Sequence, residues 1–236
     1  GILADPLGSL YVSIGNGTDN CYGGHVFPCA NNLWDHGNSV IKLSPTLAEA
    51  SSWAPNSATA NWCDFTFHDT DIGSIGPALL PNLEIFQTGK PGYGWLLNAA
   101  NLGGFDGQQF QGAIGTCRHS NAVFGGLAYF NGRVYVPCDG TGLIALSVNT
   151  NAHTFNPTAD WTTTGITAGP PIAALGLIWT RDQNGADLSG LDPHPGTQRF
   201  HVTLAVVGGR HFGSPARVAA PTLGPPRATI PRPSLP

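Results

Sequence analysis

Apolar and polar positions alternate along this chain in short bursts, and each burst ends at a polar turn that contains glycine. SLYVSIGNG (9–17), LEIFQTGKPG (83–92), GRVYVPCDG (132–140) and GLIWTRDQNG (176–185) share this form. Runs of this length, rich in β-branched and aromatic residues and closed by Gly, Asn or Asp, predict strands leading into hairpins. Counted from Leu10, Ile85, Val134 and Leu177, they recur at intervals of 75, 49 and 43 residues. A second strand is predicted after each turn, in NSVIKLSP (38–45), GYGWLLNAA (92–100), GLIALSVN (142–149) and ADLSGLDP (186–193). A third element recurs ahead of the first strand, as GSIGPALLP (73–81), HSNAVFGGLAYF (119–130), AGPPIAALG (168–176) and FGSPARVAA (212–220).

Three elements recurring in one order describe a repeat, and the last two intervals match the ~40–50-residue period of propeller blades. The first interval requires an insertion. The predicted unit is a four-stranded antiparallel blade whose alternating residues pack sheet against sheet. ALSVNTNAHTF (145–155) overlays GLDPHPGTQRF (190–200) without a gap, which matches Phe155 to Phe200; KLSPTLAEASSW (42–53) fits with one extra residue and ends in Trp53. Trp53, Phe155 and Phe200 are therefore expected to wedge between blades rather than to form a cofactor box.

Composition agrees with an all-β chain. Charged residues make up only 10% of the 236 positions, with 32 Gly and 20 Pro, which disfavours long exposed helices. A net charge of −4 argues against nucleic acid as a partner. The only two lysines, Lys42 and Lys90, make no basic membrane patch, and no apolar run approaches the ~18 residues of a bilayer span. There is no methionine, and the chain opens at Gly1 without a leader; the expectation is a processed product or an internal fragment. The five cysteines form neither CxxC nor CxxCH. Cys117 and Cys138 flank a predicted hairpin and Cys21 and Cys29 flank a Gly-rich loop, so two disulfides are expected with Cys63 left over, the alternative being buried thiols. Oxidised pairs imply an extracytoplasmic protein.

The repeat resembles that of the quinoprotein-like (PQQ-like) β-propeller superfamily, whose signature runs roughly A-x-D-x-x-T-G-K-x-x-W after a Leu-Tyr-Val strand. SLYVSIGNG with GNSVIKLSP is a good copy of the strands, whereas GLDPHPGTQRF and ALSVNTNAHTF are degenerate copies of the signature. HDTDIGSIGPALL followed by IFQTGKPGYGWLLNAANLGG is similar to a bacterial secreted subgroup. The resemblance covers residues 1–214 and implies a β-propeller with about four to five blades of a seven- or eight-bladed ring. Residues 215–236 carry seven prolines and are expected to be an irregular, Pro-rich tail, the mark of a truncated or frame-altered end. An array left open would expose two blade faces.

In such a fold the loops entering the innermost strands surround one mouth of the central channel. His68, Asp69 and Asp71, Arg118 and His119, and Arg210 and His211 fall on those loops. They are the candidate ligand-binding residues, and Asp69 and Asp71 are candidate Ca²⁺ ligands through oxygen. The plainer alternative is that they cap strands and bond loop amides. The expected function is an extracytoplasmic binding or scaffold module for a small polar ligand or a protein partner. The competing reading is a pyrroloquinoline quinone-dependent alcohol dehydrogenase with Ca²⁺, in which Asp69 or Asp71 would be the base. The vicinal cysteine pair found in many such enzymes is missing here. GKPGYG (89–94) lacks phosphate-loop spacing, no GxSxG appears, and Asn16-Gly-Thr18 is a glycosylation pattern on a predicted hairpin.

Overall fold

The computed structural model describes residues 1–18, 34–115, 117, 122–205, 213 and 215. Within them the chain forms four sheets, each built on four antiparallel strands taken in sequence order. The first blade holds β1 (Ile2–Ala4), β2 (Leu10–Ile14), β3 (Ser39–Leu43) and β4 (Glu49–Ala54). The second holds β5 (Ala78–Leu80), β6 (Glu84–Thr88), β7 (Tyr93–Asn98) and β9 (Phe110–Ala113). Between β7 and β9 the chain crosses back as β8 (Gly104–Phe105) and pairs in parallel with β4, tying the second blade to the edge of the first. The third holds β10 (Ala128–Phe130), β11 (Arg133–Cys138) and β12 (Gly142–Asn149), with β13 (Thr154–Phe155) and β14 (Trp161–Thr162) both pairing to β12. The fourth holds β15 (Ile172–Ala174), β16 (Leu177–Arg181), β17 (Asp187–Leu191) and β18 (Gln198–Thr203). The predicted repeat is thus observed four times, and it makes a partial β-propeller. The proposed start of a fifth blade and the Pro-rich tail lie outside the described residues, apart from 213 and 215.

The period of two along each strand gives the blades two faces that both carry apolar side chains. The face turned toward the following blade is aromatic: Tyr11 in the first, Phe86 and Phe110 in the second, Tyr135 and Trp161 in the third. The face turned toward the preceding blade carries the cross-strand rows Leu79–Ile85–Leu97, Tyr129–Val134–Leu146 and Ala173–Ile178, with Trp95 beside the first of them and Phe155 beside the second. Each junction is one continuous core. Tyr11, Val40 and Trp53 meet Ile85, Trp95 and Leu97; Phe86 and Leu96 meet Val134, Val136 and Leu146; Tyr135 and Trp161 meet Ile178 and Leu191. Burying a side chain of this size contributes about 2–3 kcal/mol, so these junctions carry the fold.

A polar clasp closes each junction at the end away from the hairpins that join second to third strands. The Tyr11 hydroxyl donates to the Ala99 carbonyl at 2.8 Å. The buried Glu84 carboxylate takes His153 of the third blade through Nδ1. The Tyr135 hydroxyl and the Trp161 indole N–H both donate to the Pro193 carbonyl, at 3.1 and 3.0 Å. Burial pushes the Tyr135 phenol up to about 12, against the pull of Arg133, so it remains a donor.

Trp53 wedges between blades as expected, its ring centroid 5.4 Å from that of Trp95. The overlay of Phe155 on Phe200 requires correction. Phe200 pairs with Gly190, whereas Phe155 pairs with Val148, and it is Trp161 that stands opposite Ala145 in the corresponding place. The loop 156–160 shifts the register, and a shift of odd count turns a side chain to the other face. Phe155 therefore points back into the second blade, between Phe86 and Phe110. Phe200 lies on Trp179 of its own sheet and is 43% exposed.

Two further findings concern cysteine and helix. Cys117 and Cys138 form a disulfide, with Cα atoms 5.1 Å apart, as expected from the hairpin they flank. Cys63 is disulfide-bonded and is not a left-over thiol; the expected pairing of Cys21 with Cys29 lies outside the described residues. The insertion behind the long first interval contains the helix α1 (Trp62–Phe67), which the strand pattern missed. Asn61 caps it, its side-chain oxygen accepting from the Cys63 and Asp64 amides.

Replacing both Cys117 and Cys138 with Ser should lower unfolding free energy by about 3 kcal/mol, the entropy of the loop they close. Urea denaturation under oxidising conditions checks this. Gly94→Ala tests the wedge: its new Cβ would lie 2.8 Å from both Phe155 and Phe86 ring atoms. Overpacking there should cost about 1–3 kcal/mol, read in the same urea experiment.

Candidate functional site

Antiparallel order places two sets of loops at one end of the blades: the connections entering β5, β10 and β15, and the hairpins joining second to third strands. Between the first and second blades these loops interlock closely. A Cβ on Gly73 would sit 2.2 Å from the Gly15 amide nitrogen, so the connection entering β5 touches the hairpin after β2 backbone to backbone. Asn38, fully buried at φ 49°, donates to the Trp62 carbonyl and the Thr66 hydroxyl and accepts from the Ile72 amide at 3.1 Å. Gln87 donates to the Ile72 carbonyl at 3.0 Å and accepts from the Ser13 hydroxyl at 2.7 Å. Gln183 repeats the device in the fourth blade by donating to the Ala168 carbonyl at 2.7 Å.

The sequence candidates divide on this frame. Asp69 and Asp71 come together around Lys90, which stands on the hairpin between β6 and β7. Lys90 Nζ lies 3.0 Å from Asp69 Oδ1 and 2.6 Å from Asp71 Oδ2, and Asn16 Nδ2 donates to Asp69 Oδ1 at 2.8 Å. The Lys90 and Asn16 hydrogen bonds hold the Asp69 carboxyl below its usual value. Burial alone would lower the Lys90 ammonium, but the hydrogen bonds to Asp71 and Asp69 outweigh it and raise its pKa. Here the plainer alternative, polar groups that bind loops together, describes Asp69 and Asp71 well.

His68 takes a different position. It sits at the end of α1, its Nδ1 3.2 Å from Asp64 Oδ1, and it lines a groove of about 550 Å³ with Thr59, Asp64, Thr70 and Tyr93. Phe65 and Pro91 give the groove apolar sides, and Gly92, Ala113 and Gly115 complete its lining. Arg118, His119, Arg210 and His211 lie outside the described residues. Lys90, Asn16, Asp64 and Tyr93 were not among the sequence candidates. Topology could have supplied Asn16, Lys90 and Tyr93, since the hairpins after the second strands open at the same end as the inner connections.

The family resemblance implies pyrroloquinoline quinone with Ca²⁺, and the residues here do not fit the cation. The Lys90 ammonium occupies the position between Asp69 and Asp71 that a metal would take, and it engages both carboxylates. Among the described residues no group of three or more His, Cys, Asp or Glu is placed to hold a metal ion. An oxidation starting from either aspartate would first need that ion pair broken.

Comparison with solved structures bears on the frame. The mitotic checkpoint complex structure contains a chain that superposes with a TM-score of 0.55 at 10% identity, covering 86% of this chain and 48% of that one. The β-propeller domain of Cps50 (Swd1) from Myceliophteria thermophila gives 0.55 at 8% identity, covering 88% and 55%. Sqt1 of Saccharomyces cerevisiae gives 0.52 at 8% identity, covering 74% and 44%. The similarity is one of fold. The chain spans about half the length of these structures, and it shares their β-propeller frame. No protein-family model and no curated protein matches the sequence. Among the described residues no helix is long and apolar enough to cross a membrane.

Lys90→Met should leave the largely buried Asp71 carboxylate uncompensated and cost about 2 kcal/mol, below the range for fully buried pairs. The sign of the pH effect follows from the shifts. Asp69, depressed in the folded state, contributes stability above its ordinary carboxylate value, and the contribution is lost as pH falls through the folded one. Lys90, raised, contributes below the ordinary lysine value and loses it as pH rises. Fluorescence-monitored acid unfolding should therefore begin at higher pH in Lys90→Met than in the parent.

Proposed function

We propose that this chain is an extracytoplasmic binding module that takes a polar ligand, free or displayed by a protein partner, in the groove between helix α1 and the second blade. The groove carries the reading. It joins the i,i+4 pair Asp64–His68, the hydroxyl groups of Thr59 and Thr70, and Tyr93 to the apolar sides given by Phe65 and Pro91. A concave surface with a few convergent polar groups on apolar walls is the ordinary form of a ligand site. His68 is half-exposed and its acidic partner lies beside it, so the pair can accept from or donate to an incoming amide, hydroxyl or ammonium.

The frame supports the same reading. The groove is lined from α1, from the hairpin at Pro91–Tyr93 and from the end of β9, all held by the buried junction of the first two blades. Loops on a rigid sheet scaffold keep a binding surface in shape without ordering costs on contact. The oxidised Cys117–Cys138 pair and the oxidised Cys63 support a compartment outside the reducing cytoplasm.

Titrating the ¹⁵N-labelled chain with capped dipeptides of Ser, Asp and Lys tests this reading by amide chemical shift. Shifts should gather at residues 64–70 and 91–93, and His68→Ala or Tyr93→Phe should weaken binding about tenfold, the loss of one directed hydrogen bond. Shifts confined to other surfaces, or none at millimolar ligand, would overturn it.

A further inference from the structure

We propose that the groove takes an extended peptide segment, which adds as a strand to the outer edge of β9 and sends alternate side chains to the two faces of the second blade. This rests on the binding reading above and names its ligand. β9 ends the second sheet, pairing with β7 on one side, and among the described residues no strand pairs with its other edge. The Ile114 amide donates to the Gly92 carbonyl at 2.8 Å. Antiparallel pairing alternates, so Gly112 and Phe110 also turn their amides toward β7, and the amides and carbonyls of Gln111 and Ala113 turn away from it. Ala113 is exposed at that edge.

Two grooves flank this edge and share Ala113 and Gly115 as a common wall. One is the groove beside α1, where Ala113 stands on the same face as its cross-strand partner Tyr93. The other, of about 360 Å³, lies on the opposite face against the third blade, where Ile114 meets Ile144, Pro157 and Ala159. The first is polar through Asp64, His68 and two threonines, and the second is mainly apolar. An added strand would lie about 4.8 Å beyond β9, with its own side chains alternating between the two faces. Its polar residues would face Asp64 and His68, and its aliphatic residues Ile144 and Ala159. In strand addition the backbone edge supplies affinity and the pockets for alternate side chains supply specificity.

The chain already makes one such addition, since β8 pairs on the outer edge of β4, the fourth strand of the first blade. Sheet edges are ordinarily guarded by charge, proline or a bulge. β18 carries Arg199 and His201 beside a bulge, and the outer strand of the third blade is broken into β13 and β14 around Pro157. β9 reads Phe-Gln-Gly-Ala and has none of these guards.

Titrating the ¹⁵N-labelled chain with the end-blocked pentapeptide Thr-Val-Lys-Val-Thr tests the proposal. Amide shifts should appear at residues 111–115 and in both grooves, at 64–70 and at 157–162. Binding should be about tenfold tighter than for the capped lysine dipeptide, and about tenfold tighter than for Val-Val-Thr-Lys-Thr, which has the same composition without the alternation. Methylating one alternate set of the pentapeptide's backbone nitrogens should weaken binding about tenfold, and methylating the other set should leave it within about twofold. Ala113→Pro removes an outward amide while leaving the bonds to β7, and it should weaken the pentapeptide about tenfold, with far-UV circular dichroism verifying the sheets. The methylated peptides decide the matter independently of that variant. Shifts in one groove only, equal affinity for the two sequences, or the same response to both methylated sets overturn strand addition. If the lysine dipeptide shifts residues 64–70 and the pentapeptide binds no tighter, the groove stands and the edge falls; if neither ligand binds, both fall.

Discussion

A sheet with apolar residues on both faces is stable only where both faces are covered, and every other feature of this chain follows from that requirement. With charged residues at 10% of positions, the protein has little else to work with. Among its largest fully buried side chains, Trp53, Trp95, Tyr11, Tyr135 and Phe86 lie at junctions between blades, and Trp62 packs with Ala54 and Cys63 beside the first blade. Each blade is the other half of its neighbour's core. Stability in such an array is a sum over junctions.

The polar residues serve the same junctions from their margins. At one end the clasps Tyr11–Ala99, Glu84–His153 and Tyr135–Pro193 fix how each blade is turned against the next. At the other, Asn38, Gln87 and Gln183 hold inner connections to hairpins. These bonds are directional where the apolar contacts are not. Individually they are worth about 1 kcal/mol. Their larger effect is to set one blade angle among the many that hydrophobic burial alone would allow.

The fold was legible in the sequence because its determinant is periodic. Alternation gave the strands, the glycine turns gave the hairpins, and the recurrence of Tyr11, Phe86, Tyr135 and Trp179 on second strands marks the forward face of each blade. What escaped is not periodic. Helix α1 has a single capping signal, Asn61, inside a segment that interrupts the repeat. The register of Phe155 depends on loop 156–160, whose length the gapless overlay could not weigh. At the site, topology brought His68, Asp69 and Asp71 to the expected end. Their partners Lys90 and Asn16 stand on hairpins far off in sequence, and Asp64 was missed because its i,i+4 spacing to His68 signals a pair only once α1 is known to be a helix.

The groove and the fourth blade belong to different parts of the array. The groove rests on the junction of the first and second blades, which holds Trp53, Trp95, Tyr11 and Phe65 and is further tied by β8 across the edge of β4. Among the described residues, no further blade packs on the far side of the first sheet or of the fourth. A loss of order at the fourth blade would have to pass through the third before reaching His68 or Tyr93. Nearest-neighbour coupling attenuates such a disturbance at each junction. Binding in the groove is therefore a property of helix α1, the second blade and the junction that holds them.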